Sequence, residues 1–408
     1  AAPLARQFDL QHRALPFSAR SFPVSVVLHK RHANSRCTKG SFGVLSAYDA
    51  VARTSNNALQ VGVHLITDRG VATMNKSAVT SGDVADLAGV SQSAVSRAFS
   101  PGASIAPETR DKVLRAAEKL GYRPNALARA MISGRSRLVA VLVAYLDNQF
   151  YPLALEQLSR ELQARGYPIL IFMTDTGNQD TVVQKMLQYQ VEGIIMLSAE
   201  LSSSLARECA ATGTPVLLFN RYVPGLPASS VTSDNLEGGR QVAHHLADGG
   251  HARIAFIAGQ ENSSTSRDRE AGFCKGLAER GMTLAGRAVG GYSFEGAARA
   301  ARELFARPDR PDAVFVANDH MAFAVMDVLR SELGLRIPQD VSVVGYDDVP
   351  EASWAGYELT SVSQNLDEMI KATIDILLSQ IDRQQVKRKA AIVPARLIPR
   401  RSARAPAA

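Results

Sequence analysis

Residues 83–99 read DVADLAGVSQSAVSRAF, and this stretch decides the fold of the first well-patterned part of the chain. Two short amphipathic segments lie on either side of Gly89, and a glycine between two short helices is typical of a tight turn. Thr80, followed three residues later by Asp83, resembles a capping box and predicts where the first helix begins. The segment therefore predicts a helix-turn-helix.

The second helix of this pair is expected from Gln92 to Phe99, with Ser91 as its N-cap. The second helix of a helix-turn-helix enters the major groove of DNA, where arginine suits guanine and glutamine suits adenine. The residues predicted at the DNA are Ser91, Gln92, Ser93, Ser96 and Arg97. Arg97 and Gln92 are the candidates for reading bases, and Ser91 and Ser96 for binding phosphates or capping. The alternative is an ordinary helical hairpin with a solvated polar face.

The sequence changes in character on either side of this motif. Residues 1–76 show no sustained periodicity and are predicted to be a disordered extension, while residues 77–124 form the DNA-binding domain, with a third helix that begins near Pro107. After Arg135, apolar runs alternate with amphipathic helical segments, which indicates parallel sheets covered on both faces. The predicted strands are Leu138–Val143, Ile169–Phe172, Ile194–Leu197, Val216–Phe219, Ile254–Ile257, Ala313–Ala317 and Val341–Val344. This α/β part is long enough for two similar lobes with a ligand cleft between them.

The composition fits a chain of this kind. The 408 residues carry a formal net charge of +7, but the basic excess lies at both ends and the long central part is acidic. A protein that binds DNA with one part and a small ligand with another is expected to show this distribution. Three widely separated cysteines form neither a disulfide framework nor a CxxC metal pair, which favours a reducing cytoplasm. No apolar run approaches the length needed to span a bilayer.

Several stretches resemble the LacI/GalR family of bacterial regulators. They are residues 83–99, Glu108–Val113, Leu120–Asn125, Val231–Asn235, Ala317–Asp319 and Val344–Asp348. The resemblance implies an α-helical headpiece followed by a two-lobed, periplasmic-binding-protein-like α/β sensor domain that closes over its effector. The sensor and dimerisation domain is expected over residues 137–402, with a short tail over residues 403–408.

The stretch between the two domains, NALARAM at residues 125–131, resembles the family's hinge. The resemblance implies that residues 125–136 form a linker whose helix orders on operator DNA and inserts an apolar side chain into the minor groove. It assigns Asn125, Arg129 and Met131 to the DNA, with Met131 where the family usually has a leucine. Methionine is apolar and more flexible, so it can still act as a wedge. The alternative is a plain linker.

The resemblance also implies which residues contact the effector. Arg269 matches an arginine that grips hydroxyls or a carboxylate, Asp319 an aspartate that accepts ligand hydroxyls, and Tyr292 a stacking position. The alternatives are structural. Asp319 could N-cap the next helix, and Arg269 could pair with the neighbouring Asp268 or Glu270.

Three further candidates rest on position alone. Asn148 and Phe150 are expected in the loop after the first strand, where an aromatic ring can cover a sugar face. Trp354, the one tryptophan of the sequence, is expected near the mouth of the cleft, with ordinary packing as the alternative.

These features predict a transcriptional repressor that binds a pseudo-palindromic operator as a homodimer and responds to a small-molecule effector, a sugar or a related metabolite. No enzyme is predicted, because the sequence has no GxxxxGK[ST] loop, no GxGxxG after a strand, no GxSxG elbow and no HExxH. No cofactor, metal or membrane partner is expected, and the expected location is the cytoplasm, at the nucleoid. The alternative, a soluble sugar-binding receptor, would leave the headpiece without a purpose.

Overall fold

The computed structural model describes residues 79–100, 102–124, 135–174, 178–197, 202–383 and 387–406. By its internal contacts the chain divides into two units, residues 1–76 and 77–408, and every structural statement below concerns the second. The extension expected over residues 1–76 and the hinge over residues 125–131 lie outside the described residues.

The headpiece consists of three helices, α1 (Ser81–Ala88), α2 (Gln92–Ala98) and α3 (Pro107–Leu120). The predicted capping box is present: Thr80 Oγ1 accepts the Asp83 N–H at 3.3 Å, and the Asp83 carboxylate accepts the Thr80 N–H at 2.7 Å. Gly89 ends α1 with φ at 65°, a left-handed conformation that glycine adopts without the steric cost of a Cβ. The helix-turn-helix is therefore fixed by local signals that the sequence carries.

A small apolar cluster holds these three helices together. Its buried members are Val84, Ala85, Val95, Ala98, Val113, Ala116 and Ala117. The rings of Phe99 and Tyr122 close one side, with centroids 5.9 Å apart. Arg110 Nη1 donates to the Ala98 carbonyl at 2.8 Å, which satisfies a carbonyl left unpaired at the end of α2. The inner side of α2 is thus fully used in packing.

Twelve strands make up the two sheets of the remaining described residues. They are β1 (Val139–Val143), β2 (Ile169–Met173), β3 (Gly193–Leu197), β4 (Val216–Phe219), β5 (Ser229–Ser233), β6 (Ile254–Ala258), β7 (Gly286–Val289), β8 (Ala313–Val316), β9 (Ser342–Asp347), β10 (Thr360–Ser363), β11 (Ala390–Val393) and β12 (Arg396–Ile398). Sheet A has the order β11-β5-β4-β3-β1-β2, and sheet B the order β12-β10-β9-β8-β6-β7. All pairings are parallel except that of β10 with β12.

The helices of this α/β part connect the strands and cover the sheets. They are α4 (Phe150–Ala164), α5 (Gln179–Gln188), α6 (Ser203–Ala211), α7 (Asn235–Asp248), α8 (Ser264–Ala278), α9 (Phe294–Phe305), α10 (Asp319–Asp327) and α11 (Leu366–Arg383). A π-helical turn, Val328–Glu332, continues α10, and a 3-10 turn, Pro350–Ser353, follows β9. The chain passes between the sheets three times, after β5, after β10 and after β11, so each sheet with its helices forms one lobe.

The seven predicted strands are all present, to within a few residues, and five more were not predicted. The strands β5 and β10 read SSVTS and TSVS and are almost wholly buried, so a search for apolar runs passes over them. The strand β12 is an antiparallel edge strand, an arrangement that strand–helix alternation alone does not indicate. Ala403, in the expected tail, is buried as part of the main hydrophobic core. No helix within the described ranges is long and apolar enough to cross a membrane.

Candidate functional site

The outer side of α2 carries every side chain that the sequence predicts at the DNA in this helix. Ser91, Gln92, Ser93, Ser96 and Arg97 are all exposed. The helix contains no acidic side chain, so nothing on it repels a phosphate backbone. The structure therefore brings these five residues together on one free face.

Two of these residues also hold the helix in place. Ser91 is the N-cap, and its Oγ accepts the Ala94 N–H at 3.3 Å. Gln92 Nε2 donates to Ser81 Oγ at 2.7 Å, which ties the start of α2 to the start of α1. Arg97 Nε contacts a backbone carbonyl one turn earlier at 3.4 Å, so most of its donor fork is left for a base or a phosphate. The predicted hinge contacts Asn125, Arg129 and Met131 lie outside the described residues and stay predictions.

The carboxyl ends of the two sheets meet at a closed cleft. Hydrogen bonds join the lobes there: Asn148 Nδ2 to Asp347 Oδ2 at 3.3 Å, Arg221 Nη2 to Gln260 Oε1 at 3.4 Å, and the Tyr222 N–H to Ser264 Oγ at 3.1 Å. The Tyr222 hydroxyl also donates to Asp268 Oδ1 at 3.2 Å. Ligands of open α/β sheets bind outside the carboxyl ends of the strands, which makes this cleft the candidate effector site.

Arg269 is the charged centre of the cleft and only 2% exposed. Its Nε donates to Asn235 Oδ1 at 2.8 Å, its Nη1 donates to the Ala317 carbonyl, and its Nη2 lies 3.4 Å from Asp347 Oδ1. Its Cζ lies 3.6 Å from the centroid of the Tyr346 ring, a cation–π contact. Burial disfavours the charge, but Asp347 and the surrounding tyrosines outweigh it, so the pKa of Arg269 is raised. The guanidinium is therefore held charged and fixed.

Asp347, which the sequence did not single out as a ligand contact, is the counterion of this arginine. Its Oδ1 accepts from Gln364 Nε2 at 2.6 Å and its Oδ2 from Asn148. Burial raises the pKa of Asp347, and the charge of Arg269 opposes that rise. The residue ends β9 with φ at 117°, a strained conformation of the kind that marks functional sites.

Neither neighbour of Arg269 is its partner. Asp268 accepts the Tyr222 hydroxyl, and Glu270 binds Arg287 Nε at 2.6 Å. The pairing of Arg269 with an adjacent acid, the structural alternative, is thus wrong: on α8 these side chains point to other partners.

Asp319 lies at the same edge of sheet B but faces inward. It is fully buried, its Oδ1 accepts from Ser361 Oγ at 2.6 Å, and its Oδ2 accepts the Val349 N–H at 3.0 Å. Burial, followed by the charge of Asp347, raises its pKa well above the usual value. Asn318, not Asp319, caps α10, so the capping alternative is wrong. Asp319 fixes the loop after β9, and its direct contact with the effector stays a prediction.

Tyr292 belongs to the wall of sheet B at the cleft. Its ring lies directly over Gly259, where a Cβ would come within 2.2 Å of a ring carbon, so only glycine fits beneath it. Its hydroxyl lies 3.1 Å from Thr265 Oγ1, and the residue is 8% exposed with φ at 60°. The ring is therefore held in one orientation, as a stacking surface requires.

One of the positional candidates is placed differently from the expectation. Phe150 is not in a loop: it is the first residue of α4, it is 2% exposed, and it stacks on Phe219 with centroids 6.2 Å apart. The apolar periodicity of this helix begins only at Leu153, three residues after the helix itself, so the sequence suggested a loop at Phe150. Trp354 is 57% exposed in the connection between β9 and β10, the segment in which it was expected, and its contact with an effector stays a prediction. Asn148 is buried at the cleft, and its contact with the effector stays a prediction.

Within the described residues, five buried polar atoms around the cleft have no hydrogen-bond partner. They are Arg269 Nη2, Asn318 Nδ2, Gln149 Oε1, Asn220 Oδ1 and Gln364 Oε1. Each belongs to a residue at the carboxyl end of a strand, in the connection that follows it, or, for Arg269, at the centre of the cleft. Buried polar groups are normally paired, so this set of two donors and three acceptors indicates where a ligand binds.

Comparison with known proteins agrees with this architecture. Residues 80–125 match the description "Bacterial regulatory proteins, lacI family", and residues 243–403 match "Periplasmic binding protein-like domain". The repressor PurR of Photobacterium profundum is 30% identical over 326 residues, which cover 78% of this chain and 97% of PurR. The chain belongs to the LacI family.

Two solved structures of LacI-family members show the same fold. The lac repressor dimer bound to operator and the anti-inducer ONPF has a TM-score of 0.72 and 29% identity, and covers 80% of this chain and 99% of its own. The CelR–cellobiose complex has a TM-score of 0.60 and 31% identity, and the match covers 79% of this chain and 99% of the CelR chain. This LacI-family chain is a DNA-binding transcriptional regulator with a helix-turn-helix and a two-lobed sensor domain, as its sequence predicts.

Proposed function

We propose that this protein is a repressor that binds a pseudo-palindromic operator as a homodimer. We propose also that a neutral, polyhydroxylated small molecule in the interlobe cleft controls it, and that the domains have the limits that the sequence predicts. One observation carries the proposal: an exposed, acid-free recognition helix and a closed polar cleft with a buried Arg269–Asp347 pair occur in one chain. A soluble receptor without a DNA role would have no use for the first of these.

The DNA-binding role can be tested by letting the protein select its own operator. Full-length protein is used to select binding sites from random duplex DNA, and the selected sequence is then measured by gel shift against scrambled DNA. We expect a pseudo-palindrome with two half-sites, bound at least about 1,000-fold more tightly than the scrambled duplex, because base contacts add to the phosphate contacts. Equal affinity for both duplexes would refute sequence-specific binding.

The class of effector follows from the unpaired atoms of the cleft. A sugar hydroxyl both donates and accepts, so it can satisfy two donors and three acceptors together, whereas an anion offers acceptors only. The charge of Arg269 is already balanced by Asp347, so an added carboxylate or phosphate would bury an excess negative charge. The structural neighbour CelR was solved with cellobiose, a neutral sugar, in agreement with this choice.

A thermal-shift screen of neutral sugars, sugar acids, sugar phosphates and nucleobases tests this class on the purified protein. We expect stabilisation by a neutral sugar, and loss of that stabilisation in Arg269→Lys, which keeps the charge but not the planar donor fork. Arg287→Lys is the matched control, because Arg287 forms a bidentate pair with Glu270 on the surface. A shift given only by anionic compounds would contradict the neutral class.

The dimer is proposed to form along the free edges of both sheets. The edge strands β2 and β7 carry exposed apolar side chains, Ile171 at 51%, Met173 at 52% and Val289 at 45%. Exposed apolar edges are normally covered. Sedimentation should show a dimer for the wild type and a monomer for Ile171→Asp; a dimeric variant would place the interface elsewhere.

No enzymatic activity is proposed. The relatives named above are transcriptional regulators. Because its proposed target is operator DNA, we place the protein in the cytoplasm at the nucleoid.

A further inference from the structure

A second polar cavity lies in the sheet B lobe, away from the effector cleft. It has a volume of about 500 Å³ and lies beside the amino ends of β9 and β10, whereas the cleft lies at their carboxyl ends. Four arginines line it, Arg330, Arg400, Arg401 and Arg404, against one acidic residue, Glu358. We call it the arginine pocket.

The arginine pocket is built on a fixed backbone. The segment that carries three of its arginines is anchored by Ser402, which is 1% exposed. Ser402 Oγ donates to the Val343 carbonyl at 2.6 Å and accepts the Thr360 N–H at 2.8 Å. The Arg404 N–H donates to Ser342 Oγ at 3.0 Å. The backbone that carries Arg400, Arg401 and Arg404 therefore needs little reordering when a ligand binds.

The charges of the arginine pocket are only half balanced. Arg400 pairs with Asp348 at 2.7 Å and Arg401 with Glu358 at 3.2 Å. Arg330 donates to the Gly356 carbonyl and Arg404 to the Gln339 carbonyl, and neither has a carboxylate within 4 Å in the described part of the chain. Within the described residues, Arg330 and Arg404 thus face one cavity without a directly paired carboxylate, and Asp327 acts on Arg330 only at longer range.

The sequence makes this accumulation of charge unusual. The chain from residue 387 onward contains seven basic residues and no acidic one, and it packs here on a domain that is otherwise acidic. A basic tail without a role would be solvated, whereas Arg400 is mostly buried and Arg404 is half-buried. Guanidinium groups are the side chains best suited to bidentate binding of phosphate.

We propose that the arginine pocket binds a phosphate group, with Arg330 and Arg404 as its principal ligands. The cavity is several times larger than one phosphate ion, and Ile337, Pro338 and Tyr357 form an apolar wall beside the arginines. The phosphate is therefore one attached to an organic group. This site is independent of the neutral-effector cleft, and either proposal can fail while the other holds.

The test is calorimetric titration of the full-length protein with phenyl phosphate and with inorganic phosphate, at an ionic strength held constant with sodium chloride. We expect saturable binding at one site per chain that persists with operator DNA bound, so that the headpiece is not the site measured. The variant R330Q/R404Q should bind at least tenfold more weakly. The control R302Q/R307Q, which removes two surface arginines elsewhere, should bind as the wild type does.

The possible results distinguish an organic phosphate from free phosphate, and they distinguish both from the absence of a binding site. Tighter binding of phenyl phosphate supports the organic phosphate, and equal binding supports the site with free phosphate as its ligand. No saturable heat, or equal weakening in both double variants, overturns the proposal. If R330Q/R404Q loses its native circular dichroism, R330Q alone replaces it, because Arg330 is exposed and is one of the two proposed ligands. Unchanged affinity in R330Q would then overturn the proposal.

Discussion

Tyr222 bonds the two lobes to each other twice, once through its backbone and once through its side chain. Its N–H donates to Ser264 Oγ at 3.1 Å, and its hydroxyl donates to Asp268 Oδ1 at 3.2 Å. Tyr222→Phe removes only the second bond. A hydrogen bond to a carboxylate contributes about 1.5–3 kcal/mol when it is buried. Asp268 is half-buried, so the loss of this bond is expected to cost about 1.4 kcal/mol, which shifts the equilibrium between the closed and the open cleft about tenfold toward the open form.

The backbone N–H of residue 222 is the reporter for this effect. It is protected by a bond that exists only while the cleft is closed, and the substitution leaves that bond in place. Hydrogen exchange of this amide in the effector-free protein should therefore become about tenfold faster in Tyr222→Phe. Tyr189→Phe, whose ring is 53% exposed on the sheet A lobe, is the control and should leave the rate unchanged. An unchanged rate in Tyr222→Phe would show that the hydroxyl does not help to hold the lobes together.

Three further predictions concern the headpiece and the core. Arg97→Ala should weaken operator binding by about 1–3 kcal/mol in a gel shift, with a much smaller effect on scrambled DNA, and equal losses on both would refute base reading. Thr80→Ala should remove the N-cap of α1 at a cost of about 1 kcal/mol, measured as roughly fivefold faster exchange of the first α1 amides, and unchanged exchange would contradict it. Burial lowers the pKa of His251 below 6.5, so the folded state holds it neutral and the unfolded state takes up the proton first. The free energy of unfolding should therefore fall as the pH drops below about 6.5, and a urea titration of His251→Asn should show a smaller fall than the wild type.

Features set by neighbouring residues could be predicted from the sequence. The capping box at Thr80, the turn at Gly89 and the strands of continuous apolar residues all depend on side chains within a few positions of each other. The same holds for the exposed face of α2, because helical periodicity alone decides which of its side chains point away from the core.

Features set by long-range contacts could not be predicted. The partner of Arg269 is Asp347, 78 positions away in the sequence, whereas the sequence offered only its neighbours Asp268 and Glu270. Gln364 enters the cleft because β10 lies beside β9, and β10 itself is too polar to be recognised as a buried strand. Only the strand order shows that two polar residues lie at the same edge of a parallel sheet. Local sequence patterns do not contain the strand order.

We expect Asp347 to link ligand binding to lobe closure, because its carboxylate contacts both lobes at the cleft. It accepts from Gln364 within the sheet B lobe and from Asn148 across the cleft, and it balances Arg269 at the centre. A hydroxylated ligand that donates to Asp347 in place of Asn148 removes a bond between the lobes, so it loosens the closed state. A ligand that bridges Asn148 and Asp347 restores the link through itself, so it tightens that state. The sign of the response therefore depends on which ligand atom reaches the Asn148–Asp347 contact, and Asn148→Ala should abolish the difference between two such ligands while leaving Arg269 in place.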